Sequence, residues 1–285
     1  MKPAFPIFVG VLFLTGLAAQ GKTVAEWKMD DTSGPLADSA GAHACSVSGL
    51  RYSRKPLFSG AAIDFSGANS LPVTSNASDL YGKNLSQFTL EGFFRISDAA
   101  AGTGLHYIAG SRKSAAGYAV WVRDGGKLGF LFQGSGGLAG TDYYGGTTVD
   151  DGQTHHFALV FERSGGSAAG TGAARLFIDG CLDYLMDNIP PTHMDADEGF
   201  QIGRRQDSPF QGYLDHIRFS DRALGPSEFL NAALAPAGAL RWGAPELVSA
   251  SPSGARVQAA LLGTNGTVAL LWSAIEPVGG WIGTN

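Results

Sequence analysis

The sequence predicts an all-β protein folded as a two-sheet antiparallel sandwich or jelly roll. Three observations point there. Short runs rich in β-branched and aromatic residues follow one another from Val24 onward, separated by Gly, Asp, Asn and Ser. Glycine is abundant (41 of 285 residues) without a repeat period, beside 11% aromatic residues, as expected for many strands joined by tight turns. Helix signals are confined to one stretch, "GPSEFLNAAL" (Gly225 to Leu234), where Pro226 suits a first turn.

The chain opens with Lys2 before an apolar run, "FPIFVGVLFLTGLAA", and small residues follow in "LAAQG". This is the layout of a secretory signal over residues 1–20. The run falls short of the roughly 20 apolar residues that span a bilayer. The mature chain is therefore expected to be secreted or surface-bound, beginning near Gly21, without membrane insertion after signal cleavage.

The predicted strands come next: "VAEWKM", "AAIDF", "FTLEGFFRI", "LHYIAGS", "YAVWVR", "KLGFLF", "HHFALVFE", "ARLFID", "FQIG" and "YLDHIRF". Many alternate with the two-residue period of a pleated strand. "RDGGK" (Arg123 to Lys127) is a hairpin turn between two of them. The sandwich is assigned residues 21–233 and a linker rich in Ala, Pro and Gly residues 234–247. Residues 248–285 carry two more strand-like runs, "ARVQAALL" and "TVALLWSA", joined by "GTNG". Two strands cannot bury an adequate core alone. The tail is expected to be part of a second β domain, with an extension of the main sheet as the alternative, and the "WIGTN" end fits a fragment of a longer multidomain protein.

Charged residues make up only 16% of the chain and the net charge is −5, with no long basic block. Nucleic acid and anionic membrane surfaces are therefore poor candidates for partners. Cys45 and Cys181 are the two cysteines. An oxidising compartment permits a disulfide between them, two buried free thiols being the alternative. "NAS" at Asn76, "NLS" at Asn84 and "NGT" at Asn265 are N-glycosylation sequons, relevant in a host that glycosylates.

Four segments in order carry a family resemblance: "QFTLEGFFRI" (Gln87 to Ile96), "DDGQTHHFALVFE" (Asp150 to Glu162), "ARLFIDGCLD" (Ala174 to Asp183) and "FQIGRRQDSPFQGYLDHIRFSDRALGPSEF" (Phe200 to Phe229). Together they resemble the laminin-G-like, concanavalin A-like jelly-roll family of lectins, pentraxins and glucanases. The resemblance covers about Thr23 to Leu230. One departure is Thr154, where the family pattern has a tryptophan before the paired histidines. The resemblance implies a curved two-sheet sandwich that binds carbohydrate or protein, or serves as a module of a larger secreted protein. Some members carry calcium.

Several residues are candidates for chemistry. His155 and His156 are adjacent on one strand, so their rings point to opposite faces and cannot share a metal. His155, beside Phe157, Leu159 and Phe161, is expected inward with its ring hydrogen-bonded; His156 is expected outward near Glu162. In "GYLDHIRF" the alternation puts Asp215 on one face with Tyr213, Ile217 and Phe219. A charged carboxylate there needs a partner. The resemblance suggests one structural calcium ion held by Asp215 with Asp30 and Asp38; satisfaction by backbone amides or an arginine is the alternative. "DADEG" (Asp195 to Gly199) reads as a solvated acidic loop.

No glycosidase pattern is present. Glucanases of this superfamily carry "E-x-D-x-x-E" on one strand face, whereas Glu26, Glu91, Glu162 and Glu228 each stand alone. Glu91 is expected to pair with Arg95 on its own strand, and "GSGGLAG" (Gly134 to Gly140) is a flexible loop, not a phosphate cradle. For sugar stacking, Tyr107, Tyr143 and Tyr144 are the candidates, while Trp121 is expected in the core. The expected function is a non-enzymatic secreted module that binds a glycan, with an extracellular protein partner or a structural spacer role as the alternatives.

Overall fold

The structure is a computed structural model that describes residues 22–31, 35–41, 43–45, 51–65, 77–97, 100–102, 104–113, 116–123, 125–133, 142–190, 199–205, 208–234, 256–262 and 268–273. The signal segment, the "GSGGLAG" loop, Asp195 to Glu198, Asn76, Asn265 and the linker beyond Leu234 lie outside them.

Two antiparallel sheets make the body. The larger orders its strands as β11 (Cys181–Ile189), β10 (Gly172–Ile178), β9 (His155–Glu162), β4 (Gln87–Ile96), β15 (Gly212–Ser220), β3 (Ala62–Asp64) and β2 (Arg51–Ser53), with β1 (Thr23–Trp27) also paired to β15. The smaller runs β12 (Phe200–Ile202), β5 (His106–Lys113), β6 (Ala116–Arg123), β7 (Lys127–Gln133) and β8 (Tyr143–Thr148). A two-residue pair, β13 (Arg204–Arg205) with β14 (Ser208–Pro209), stands apart. The tail strands β16 (Arg256–Leu262) and β17 (Val268–Ser273) pair with each other.

The facing sheets enclose an aromatic core. Phe88 on β4 sits at its centre, 4.7 Å from Tyr118, 5.3 Å from Phe219 and 5.4 Å from Phe161, ring centre to ring centre. Tyr118 keeps its hydroxyl satisfied by donating to Leu80 O at 2.7 Å, and burial pushes that phenol well above its usual range. Trp27 stacks on Phe200 at 5.3 Å and donates through Nε1 to His43 O. The β6–β7 hairpin turns at Gly125 and Gly126, both at positive φ, as the "DGG" run requires.

The outer face of the larger sheet is covered too. The loop of residues 54–61 lies over β15 and β4, where Phe58 stacks on Phe93 at 4.6 Å. The "GPSEFLNAAL" stretch forms two 3-10 turns, Pro226–Glu228 and Leu230–Leu234, and sets Phe229 against Phe177 and His156. Burial on both faces explains why β4 and β9 read as almost unbroken apolar runs.

β15 breaks its alternation. It pairs with β3 at Tyr213 and Leu214, then with β1 from Ile217 onward. The register against β4 shifts between Asp215 and Arg218, and His216 sits at φ 50°. The bulge corrects the sequence reading: Asp215 lies across from Phe93 on the outer face, while Ile217 and Phe219 join the inner core.

Candidate functional site

The outer face of the smaller sheet gathers Tyr107, Ala119, Trp121 and Leu131 into a buried cluster, with Leu105 and Tyr144 packed against it. Tyr107 pairs across strands with Trp121, Trp121 with Gly129, and Gly129 with Tyr144. These residues therefore form one row over four strands. Gly129 makes the row possible: a Cβ there would stand 2.6 Å from Tyr144 Cε1 and 2.9 Å from Tyr143 O, so only glycine lets that ring and its strand approach this closely.

Tyr107 and Trp121 are each 1% exposed, so they form the floor, and the half-buried Tyr144 rises to the surface. Around it a polar corner is fixed. Arg123 Nη1 donates to Asp142 Oδ2 at 2.8 Å and to Tyr144 Oη at 2.9 Å. The Tyr144 hydroxyl donates to Asp142 at 3.1 Å, and Trp121 Nε1 approaches Tyr144 Oη at 3.4 Å. Arg112 reaches over Trp121 and donates to Gln133 Oε1. The corner thus offers a guanidinium donor, a carboxylate acceptor and an aromatic plane within one cross-strand neighbourhood.

Tyr143 is turned the other way. It stacks on Phe130 at 5.5 Å and packs by Tyr184 against the main core, so the structure joins Tyr107 with Tyr144 and separates both from Tyr143. Trp121, expected in the core, is buried on this outer face.

The histidines are structural in this arrangement. His155 is held between Asp179 (Nδ1, 2.8 Å) and Asp151 (Nε2, 3.0 Å), which raises its pKa, Asp179 contributing most. His156 is a correction. Instead of pointing to solvent near Glu162, it is 2% exposed beneath Phe229, with Nε2 3.0 Å from Glu91 Oε2. Glu91 does not pair with Arg95. It accepts Arg218 at Oε1, and Leu230 N donates to Oε2 at 2.8 Å. Arg95 instead stacks over Tyr213. Cross-strand pairing overrides the strand neighbour here, because Glu91 lies directly across from Arg218 on β15.

The proposed calcium ligands do not form one set. Asp38 spends its carboxylate on Glu26 N, Ala40 N, His43 N and the His43 ring. Asp30 accepts Ala61 N at 2.9 Å, and Asp215 Oδ2 accepts Leu57 N at 2.9 Å and Phe58 N at 2.8 Å. Amide protons take Asp215 Oδ2 and both oxygens of Asp38, while the buried Asp215 Oδ1 has no hydrogen-bond partner. Among the described residues no three His, Cys, Asp or Glu side chains converge as ligands. Asp30, Asp38 and Asp215 as a trio do not fit a calcium ion. Burial pushes the Asp215 carboxyl up to about 6 despite its two amide donors.

Cys45 and Cys181 are not bridged. Cys45 is enclosed opposite Leu36, its thiol pushed up to about 12 by burial. Cys181 opens the β11 edge strand and is exposed, in a hairpin remote from that pocket. The glutamates singled out in the sequence are all engaged: Glu26 with His216, Glu91 with Arg218 and His156, Glu162 with Arg175, and Glu228 with Arg222.

Fold and site together define a jelly-roll sandwich whose smaller sheet carries a half-buried tyrosine with polar partners at β7 and β8. The chain belongs to the concanavalin A-like lectin/glucanases superfamily, whose laminin-G family model matches residues 66–229. Solved structures share the fold. Domain 4 of AbnA, a GH43 extracellular arabinanase from Geobacillus stearothermophilus solved with arabinotriose, is 19% identical over 76% of this chain and 99% of that domain, with a TM-score of 0.56. The binding domain of botulinum neurotoxin serotype D/C VPI 5993 is 12% identical over 75% of this chain, with a TM-score of 0.57. The botulinum neurotoxin DC binding domain in complex with SialylT is 12% identical over 76% of this chain, also at 0.57. The chain spans about half the length of those neurotoxin domains, covering 52% of each. No curated protein matches the chain in sequence.

Proposed function

We propose that the chain is an exported, non-catalytic carbohydrate-binding module whose binding face is the outer surface of the smaller sheet at β7 and β8. The observation that carries this reading is the Tyr144 corner. A half-buried aromatic ring packs against Gly129, with Arg123 as donor and Asp142 as acceptor at its hydroxyl. A sugar ring stacks its C–H face on an aromatic plane while its hydroxyls need both donor and acceptor partners. Export is carried by the signal layout of residues 1–20. The engagement of Glu26, Glu91, Glu162 and Glu228 in ion pairs supports a binding role over hydrolysis, which needs an acid and a second carboxylate free at one bond. The neighbour solved with arabinotriose supports a glycan as the ligand.

A glycan array probed with the purified mature chain tests the proposal. Binding to a coherent group of glycans, lost in Tyr144→Ala at unchanged melting temperature, is expected. An array without signal would move the assignment to protein contact or scaffolding.

A further inference from the structure

Asp215 is a buried carboxylate with no part in the Tyr144 face, yet it organises a surface on the opposite side of the sandwich. Its Oδ2 takes the amides of Leu57 and Phe58, and Asp30 takes that of Ala61. Gly60 sits at φ 63°, and a Cβ there would stand 1.8 Å from Asp30 Oδ1, so only glycine admits this approach. Phe58 is stacked on Phe93 and edge-on to His216. The loop of residues 54–61 is therefore pinned to the sheet, and it carries Arg54 and Lys55, both exposed.

The register places more charge beside it. Arg51 faces Asp64, Asp64 faces Tyr213, and Tyr213 faces Arg95, a row across β2, β3, β15 and β4 on the outer face. Three strand spacings make this row roughly 14 Å long. Arg95 lies 4.6 Å above the Tyr213 ring, and both are half-buried. Among the described residues no carboxylate pairs with Arg54, Lys55 or Arg95. The patch sets four cations, Arg51, Arg54, Lys55 and Arg95, against Asp64, Asp30 and the buried Asp215, in a chain whose net charge is −5. Cations on an edge strand also discourage edge-to-edge pairing, but Arg95 lies on the central strand β4, where that purpose is absent.

We propose that this outer-face row, with the pinned loop, is a second binding surface, for an acidic polysaccharide of the polyuronate type. An arginine stacked on an aromatic ring presents its fork of N–H donors preoriented for carboxylates. Tyr213 supplies a ring beside it, and the row's length suits an extended chain over a single sugar. Fixing the loop in advance reduces the ordering cost of binding. The inference rests on the reading that the chain meets glycans, but not on Tyr144.

Affinity electrophoresis of the full chain through gels containing polygalacturonate tests it, with neutral arabinan and poly-glutamate gels alongside. Retardation by polygalacturonate alone is expected, weakening as salt rises from roughly 50 to 500 mM. Arg95→Gln and the double variant Arg54→Gln/Lys55→Gln should each bind roughly tenfold more weakly, with unchanged melting temperatures. Tyr144→Ala should keep the retardation. No retardation, equal retardation by poly-glutamate, or wild-type binding by Arg95→Gln would overturn the proposal. Loss in Tyr144→Ala with retention in Arg95→Gln would overturn it too, while leaving the glycan face on the smaller sheet standing.

Discussion

His156 and Glu91 meet at 3.0 Å beneath the C-terminal turns, both side chains closed off from solvent. Glu91 also takes the Arg218 guanidinium and Leu230 N, and Arg218 donates onward to Glu228 O at 2.8 Å. One buried carboxylate thus joins three strands to the segment that leaves the sandwich. Removing it strands a guanidinium, an imidazole and an amide without their acceptor. Glu91→Ala is expected to cost about 3–5 kcal/mol, measured by urea unfolding, with the transition still cooperative. A loss below 1 kcal/mol would mean that water replaces the carboxylate cheaply.

The pH dependence follows from opposite shifts. Asp215 has its carboxyl raised to about 6 by burial, above the unfolded value near 3.9. The folded state therefore binds the extra proton, and stability rises as pH falls from 7 to about 4. His155, raised by Asp179 and Asp151, contributes stability that is complete below about 6.5 and is lost as pH climbs through its folded value. Glu26, lowered to about 2 by His216, contributes above about 4.5 and is lost in stronger acid. Melting temperature should peak between about pH 4 and 6 and decline toward pH 8. Asp215→Asn should flatten that decline, and an identical slope in the variant would count against this assignment.

The thiols should behave as two classes. A thiol reagent should modify Cys181 alone in the native chain and reach Cys45 only after denaturation. Non-reducing gels should show no internal bridge. Protection of both thiols without reductant would contradict the separation of the two cysteines.

With Asp38 committed to His43 and backbone amides, a chelator should leave the melting temperature unmoved. A shift of several degrees that calcium restores would show that a cation is held after all.

Much of the architecture was legible in the sequence because alternation and turn chemistry are local. The runs at β4, β9 and β10 and the "RDGGK" hairpin lie where the pattern put them. Four features were not local. The β15 bulge reversed the face of Asp215 relative to Ile217, which a strict two-residue period cannot anticipate. His156 looked outward because its cover, Phe229, comes from a segment far along the chain. β8 is missing from the strand runs read in the sequence because "YYGGTT" is poor in branched residues, and its place is set by pairing with β7. The partner of Tyr144 was hidden likewise: Trp121 and Gly129 become its neighbours only through strand register.

The central claim is that the Tyr144 ring packed against Gly129 carries glycan binding. Gly129→Ala beside Tyr144→Ala tests it most directly, because the added methyl would meet Tyr144 Cε1 at 2.6 Å and Tyr143 O at 2.9 Å and displace the ring. Assayed on the same glycan array as the wild type, both variants are expected to lose the signal, and Tyr144→Ala, which leaves β8 uncrowded, to melt within about 3 °C of wild type. Full signal from Gly129→Ala would contradict the claim and place the ligand elsewhere on the sandwich.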